Sequence, residues 1–228
     1  MYLLSKELEV FCNLAIARMG RGQGCNLLLE GPPGGGKTAF SRMLSKRLGS
    51  PLFYYSGTPD KERDLLYEID VQGVLKRENA FVPGPAWQAF SRTASGPAVL
   101  LIDEVDKTSQ GFDAFLLRLL EEGAFRAPSG ETVTATLKNL AVVLTSNGRR
   151  KLRPEVLRRC QRINVPLPEG ERLFKIINQI AGVNLPRGLV DLLVRLGRGV
   201  QVEDKEQAPA PKELALLACD LLELSQTQ

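Results

Sequence analysis

The sequence predicts an α/β fold: a three-layer core built on a parallel sheet, followed by a small C-terminal helical lid. Three observations carry this. The segments 26–30, 98–102 and 140–144 are continuous apolar runs, the pattern of strands buried on both faces of a parallel sheet. Between them the apolar residues fall at helical spacing, so strands and helices alternate. From about residue 169 onward only helical spacing remains. The expected division is an α/β core over 1–168 and a helical lid over 169–228.

Taken in order, residues 1–20 read as an amphipathic helix with Leu4, Leu8, Phe11, Leu14 and Ala15 on one side, ending near Gly20. Arg21 to Gly24 turns into the first strand. Ala39, Phe40, Met43, Leu44 and Leu48 space a second helix, which Gly49 and Pro51 break. A strand at 52–55 follows, with a loop at 56–60. A further helix begins at 64–66 and is interrupted by a glycine- and proline-bearing segment at 71–85, read as an inserted hairpin, before helix resumes at 87–93. Phe81 in that insert is either core or part of a central surface. Phe112, Phe115, Leu116, Leu119 and Leu120 share a helical face that stops at Gly123. Residues 132–137 alternate like a surface strand. The lid helices carry Leu173, Ile176, Ile177 and Ile180, then Leu189 to Leu196, then Leu214 to Leu222, with a polar stretch at 197–211 before the last.

Composition narrows the chemistry. With 228 residues, 43% of them apolar, the chain can bury a sizeable core. Four cysteines, at 12, 25, 160 and 219, have no C-x-x-C spacing, and there is no histidine to complete a zinc site or a nucleophilic triad. The expectation is bystander thiols in a reducing compartment. The first ten residues lack a basic-then-apolar signal, and no apolar run approaches a membrane span, so a cytoplasmic protein is expected. The net charge of +4 is concentrated: residues 149–162 hold Arg149, Arg150, Lys151, Arg153, Arg158, Arg159 and Arg162 against Glu155. Such a patch suits nucleic acid, or an interface.

Chemistry enters at Gly31-Pro32-Pro33-Gly34-Gly35-Gly36-Lys37-Thr38, which matches G-x-x-x-x-G-K-[ST] between a strand and a helix. Glycines let successive backbone N–H groups turn inward, and the following helix adds the positive end of its dipole, so polyphosphate meets partial charges already aimed at it. Gly31, Pro33, Gly34, Gly35 and Gly36, with Ala39 in the first helical turn, are the candidate cradle. Lys37 is placed to reach the β- and γ-phosphates, and Thr38 to ligate a bridging Mg²⁺. Asp103 closes the strand at 98–102, where ligands of open α/β sheets collect, and is the second candidate for the metal shell. Adjacent Glu104 is the candidate base for an attacking water. Asn147, ending the strand at 140–144, should sit beside Asp103 and could hold that water from the other side.

GPPGGGKT, VLLIDE, LTSN and LRPEVLRRC, in this order and spacing, resemble the AAA+ ATPases of the P-loop NTPase class: Walker A, Walker B, sensor 1 and arginine finger. TPDKERDLL, FVPGPAWQAF and DEVDKTSQGFDAFLLRLLEEGAF resemble the MoxR branch, with its insert in the second helix and a hairpin before the sensor strand. Asp106 and Lys107 stand where that branch has Asn-Arg. The resemblance covers roughly 22–168. It implies ATP and Mg²⁺ as cofactors, a ring homo-oligomer, usually a hexamer, and a finger reaching the neighbouring subunit's site, with Arg159 the best match and Arg158 next. Pro209-Ala210-Pro211-Lys212 resembles the segment that carries sensor 2, with lysine in place of arginine, which keeps the charge but loses the bidentate fork.

The activity expected is therefore ATP hydrolysis coupled to remodelling or activating a protein client, with an adaptor conceivable. Two alternatives remain open. One is a loader or helicase-like ATPase gripping nucleic acid through the basic patch, although no stacking aromatics are interleaved with it. The other is a nucleotide-gated binding module, for which Glu104 and Asn147 would be superfluous. No guanine-reading N-K-x-D appears.

Overall fold

The computed structural model describes residues 4–59, 61–76, 81–199 and 209–226. Five parallel strands form the central sheet in the order β2-β5-β8-β1-β9: β1 is Cys25–Glu30, β2 Leu52–Ser56, β5 Ala98–Asp103, β8 Leu140–Ser146 and β9 Gln161–Asn164. Side chains alternate across a strand, so each run feeds two cores. Leu28, Leu100, Ile102, Val142 and Leu144 pack with Phe90 of α4 (Pro85–Arg92) and Leu116 and Leu119 of α5 (Phe112–Glu122). Leu27, Leu29, Val99, Leu101, Ala141 and Val143 pack on the other side with Leu8 and Cys12 of α1 (Lys6–Gly20) and Phe40 and Leu44 of α2 (Lys37–Arg47). This is the three-layer α/β core that the apolar runs predict.

Local chemistry sets the helix ends. Ser5 accepts from the Leu8 N–H at 3.3 Å and caps α1, whose first turn carries Glu7 and Glu9 against the dipole. Pro85 opens α4, where its missing N–H is no loss. Gly123, at φ 58°, closes α5 in the left-handed conformation that side chains resist.

The segment between β2 and α4 departs from expectation. In place of a helix begun at 64–66 there is one 3₁₀ turn, Glu62–Leu65, followed at once by β3 (Tyr67–Ile69), α3 (Val71–Lys76) and β4 (Phe81–Pro83). β3 and β4 pair antiparallel, so the inserted hairpin is present, while its residues 77–80 lie outside those described. The chain crosses itself at Gly84, where a Cβ would stand 2.4 Å from the Asp64 carbonyl oxygen, and that crossing leaves no room for a helix to continue. Phe81 packs edge to face on Tyr67 at 5.5 Å.

A second hairpin joins β6 (Ala124–Arg126) to β7 (Thr132–Thr134). β7 is shorter than the 132–137 alternation suggests: after the Ala135 N–H meets the Gly123 carbonyl opposite it, the Thr136 N–H leaves the ladder for the Thr93 hydroxyl. After β8, a short helix α6 (Pro154–Arg159) leads into β9. The helices α7 (Gly170–Ala181), α8 (Arg187–Gly199) and α9 (Pro211–Gln226) then build a core of their own from Leu173, Ile177, Leu185, Val190, Leu193, Leu214 and Ala218. Most of the polar stretch 197–211 lies outside the described residues. Among those described, no helix is long and apolar enough to cross a membrane.

Candidate functional site

The strands β1, β5 and β8 end at one edge, and the loop 31–36 lies across it. The Gly31 N–H is held by the Ser146 carbonyl at 3.2 Å, and a Cβ on Gly31 would run into the Val165 carbonyl oxygen at 2.2 Å. Gly34 and Gly36 take φ of 82° and 98°, so the loop's curvature requires glycine at both. Gly36 delivers the chain into α2 without a side-chain cap, leaving the helix's first N–H groups to the loop's concave side. Lys37, only 6% exposed, donates to the carbonyls of Gly31 at 2.6 Å and Pro32 at 2.8 Å. Burial pulls its pKa down, against the carboxylates of Asp103, Asp106 and Glu104, which favour its charge.

Asp103 is shared by three hydroxyls. Thr38 Oγ1 donates to Oδ2 at 3.1 Å, the Tyr54 hydroxyl reaches the same oxygen at 3.4 Å, and Thr145 donates to Oδ1. Thr145 Oγ1 also accepts from the Glu104 N–H at 2.8 Å. Successive strand residues point to opposite faces, yet Asp103 and Glu104 line the same cavity. The cause is the backbone of Glu104, at φ 53° and ψ 47°, the one non-glycine at positive φ among the described residues. Holding that conformation costs roughly 1–2 kcal/mol. Strain of this sort gathers at functional sites. The approach of Gly57, whose Cβ would meet the Glu104 carbonyl oxygen at 2.4 Å, leaves room for the turn.

The Glu104 carboxylate is held at both ends. Asn147 Nδ2 donates to Oε1 at 3.0 Å and Lys107 Nζ to Oε2 at 2.5 Å. Asn147 is placed in turn by Asp106, 4% exposed, whose Oδ2 accepts from the N–H groups of Asn147 at 3.1 Å and Arg149 at 2.9 Å. The strand pairing of β5 with β8 expected from the apolar runs is what brings Glu104 and Asn147 together.

These groups open on a cavity of about 490 Å³, within the range of about 300–1,000 Å³ usual for small-molecule sites. Pro33, Gly34, Gly35, Gly36, Lys37, Thr38 and Ala39 line one wall with Asp103, Glu104 and Asn147. Gly31 stays behind that wall. Lys212 faces the same space from the start of α9, where Ala210 and Pro211 pack so closely on Gly34 that a Cβ there would stand 3.2 Å from each. The rest of the lining is Leu4, Pro168 and the α7 side chains Arg172, Ile176, Gln179 and Ile180. Sequence reasoning gave those α7 residues a helix but not this role, because their spacing is equally that of a core face. Thr145, Tyr54, Asp106 and Lys107 were missed as well; the first lies in the quoted LTSN run, whereas Tyr54 comes from a strand with no motif at all.

Thr38 and Asp103 offer hard oxygen donors at hydrogen-bond distance from each other beside the loop. Mg²⁺ is commonly held by one or two protein oxygens completed by substrate phosphates and water, and these two residues fit that pattern. Among the described residues no cluster of three or more acids, cysteines or histidines offers a metal cage.

Arg158 and Arg159 do not enter this cavity. They sit at the end of α6 and line a separate open cleft with Arg18 and Arg21. Arg159 spans the Glu121 carboxylate of its own chain, while Arg158 is exposed and its guanidinium has no ion pair among the described residues. The basic segment is therefore not one patch. Arg150 turns inward to Asp113, which is fully buried, at 2.6 and 3.0 Å, and Arg162 pairs with Glu30 at 2.7 Å. Three of the seven basic side chains thus have carboxylates of their own.

A family model described as AAA domain (dynein-related subfamily) matches residues 26–161. The mitochondrial Lon protease homolog of Rattus norvegicus is 31% identical over 162 residues, which is 67% of this chain and 16% of that protein. Lon protease of Salinispora arenicola is 32% identical over 126 residues, 53% of this chain and 15% of that protein. The mitochondrial Lon protease homolog of Yarrowia lipolytica is 35% identical over 99 residues, 42% of this chain and 8% of its own length. The chain thus spans less than a fifth of the length of these relatives.

Proposed function

The chain belongs to the family of AAA domains, dynein-related subfamily, and from that premise we propose that it is a Mg²⁺-dependent ATPase that works between subunits of a ring and uses hydrolysis to remodel or activate a protein partner. The observation that carries this reading is the paired engagement of Asp103 and Glu104: one carboxylate meets the Thr38 hydroxyl beside the phosphate loop, while the other is aimed into the same cavity and held by Asn147. A site for binding alone would need neither the second acid nor its amide partner.

In this reading Lys37 and the loop N–H groups bind the triphosphate, and Thr38 and Asp103 hold the metal, which when bound neutralises charge on the phosphates. Glu104 orients the water and takes its proton, with Asn147 fixing the carboxylate's direction. Lys212 faces the cavity from α9, so the helices from 169 onward act as a lid whose position depends on what the core binds. Arg159, or Arg158, completes the site of the next subunit, a contribution of about 10³–10⁵ in rate in related phosphoryl-transfer enzymes.

A protein partner is favoured over nucleic acid for two reasons. Arg150, Arg159 and Arg162 are already paired with Asp113, Glu121 and Glu30, which leaves a reduced and scattered basic surface. The relatives, moreover, are named as proteases. The likeness to the MoxR branch rests on the hairpin inserted before α4 and the second hairpin before β8.

The test is ATP turnover per chain against protein concentration, together with mixtures of Arg159→Ala and Glu104→Gln chains. Specific activity should rise on concentration, and the mixture should exceed either variant alone. Mixtures no more active than the separate variants would remove the shared site.

A further inference from the structure

Arg172 lies in the first turn of α7, on the face that carries Ile176 and Ile180 into the cavity, one and two turns further along. Nothing in the phosphate chemistry needs it. The lining beyond the loop and the acids is mostly apolar, formed by Leu4, Pro168 and those two isoleucines, with Gln179 the polar side chain that α7 adds. A guanidinium is a planar fork of five donors that stays charged, and placing one among aliphatic side chains is costly unless it finds acceptors. Here it falls short: its Nε–H is sealed from solvent with no acceptor among the described residues. Burial works against its charge, and the carboxylate that favours it is Glu7, which is exposed on α1.

We propose that Arg172 is a nucleoside-contacting, specificity-determining residue. On binding, its guanidinium turns so that Nε–H leaves its sealed position for acceptor atoms of the base and ribose, while the triphosphate is held by the loop. The ligand class this implies is a nucleoside triphosphate in which the nucleoside, and not the polyphosphate alone, supplies binding energy through acceptors facing α7. Ile176, Ile180 and Leu4 cover the faces of the ring, and Arg172 adds the directional contact they lack. This inference rests on the nucleotide-site reading above, and it adds a role that neither the loop nor the acids can fill.

The two ends of the ligand can be separated experimentally. Calorimetric titration of the whole chain with Mg-ATP and, independently, with Mg-tripolyphosphate reports each end, with wild type compared against Arg172→Ala and Arg172→Lys. Hydrogen bonds from a charged donor are worth about ten- to a hundredfold in affinity. The expected result is a loss of that size for ATP in Arg172→Ala, with tripolyphosphate binding unchanged within about twofold. Arg172→Lys should resemble the alanine variant for ATP, because the ammonium lacks the planar fork. Unchanged ATP binding in Arg172→Ala overturns the assignment while the nucleotide site survives. Equal losses for ATP and tripolyphosphate would also overturn it, by placing Arg172 at the phosphates or in the fold. A wild-type chain that binds neither ligand overturns the nucleotide reading itself. Unfolding midpoints of the three proteins, matched without ligand, separate a contact from a packing defect; if only the alanine variant is destabilised, the lysine variant decides.

Discussion

Arg159 lays its guanidinium across the carboxylate of Glu121, with Nε to Oε2 at 3.1 Å and Nη2 to Oε1 at 3.0 Å, so the arginine that best fits a finger is held by its own chain. Both side chains are partly exposed, at 35% and 58%, and such pairs add little to stability. The pair is therefore easily exchanged for a partner that offers more charge, such as a triphosphate on a neighbouring subunit. Removing Arg159 should lower turnover by about 10³-fold or more. Glu121→Gln should do the reverse, raising specific turnover severalfold at low protein concentration, where the internal pair competes with the neighbour, and less at high concentration. A loss of rate in Glu121→Gln comparable to that of Arg159→Ala would mean that Glu121 positions the arginine and does not compete for it.

Arg150 illustrates the opposite fate of a basic residue. It makes two contacts with the fully buried Asp113, donates through Nε to the Thr108 carbonyl at 2.9 Å, and so ties the segment after β8 to the start of α5. Arg150→Ala leaves a carboxylate with no exposure and, among the described residues, only the Arg153 N–H as a donor. Breaking a buried pair from one side costs about 3–5 kcal/mol, so the urea midpoint should fall sharply. A midpoint near wild type would show that water reaches Asp113.

The thiols should make the fold sensitive to base. Burial pushes Cys25 up to about 11 and Cys160 up to about 12, from 9.0, and desolvation likewise raises Tyr55 from 10.0 to about 12. These groups lose protons more readily unfolded than folded, so the stability they contribute is complete below pH 9 and is lost as pH rises toward 11–12. Lys37 works against this trend, since its lowered pKa means the folded state holds its proton less tightly, and its own contribution improves as pH rises toward 10.5. Burial raises Cys12 as well, so with four groups against one, denaturant midpoints should decline between pH 9 and 11. At pH 8, alkylation of Cys25 and Cys160 should be slow in the native protein and fast in urea.

The parts of this molecule that were legible in the sequence are those fixed by local chemistry. The apolar runs place β1, β5 and β8, and G-x-x-x-x-G-K-T places the loop between β1 and α2, because both signals are written in consecutive residues. β6 enters only through the hairpin that the resemblance implies, and β9 escaped: they have three and four residues, and of β9 only Ile163 is buried, so no alternation is long enough to read. The site divides the same way. Asp103, Glu104 and Asn147 end apolar strands and were visible there, whereas Arg172, Ile176 and Ile180 reach the cavity only through the placement of α7, whose own core is shared with α8 and α9, and no spacing encodes that placement. The left-handed backbone at Glu104 was hidden as well, since it arises from the Thr145 hydroxyl and the approach of Gly57 across the sheet edge.

Thr145 gives the sharpest test of that last point. Its hydroxyl donates to Asp103 and accepts from the Glu104 N–H, so one oxygen sets the angle between the two acids. Thr145→Val keeps the β-branched shape in a strand position that is fully buried, and removes only the hydroxyl. Asp103 would keep Thr38 and Tyr54 as donors, so nucleotide affinity should change little. The Glu104 N–H would lose its acceptor, and the turn that aims the carboxylate toward Asn147 would relax toward an ordinary strand end. Supporting contacts of this kind around a reactive centre typically cost about 10–100-fold when removed, and the loss here should fall on kcat with KM nearly constant. A large rise in KM with kcat preserved would place the role of Thr145 in binding, and would separate the left-handed turn at Glu104 from the chemical step.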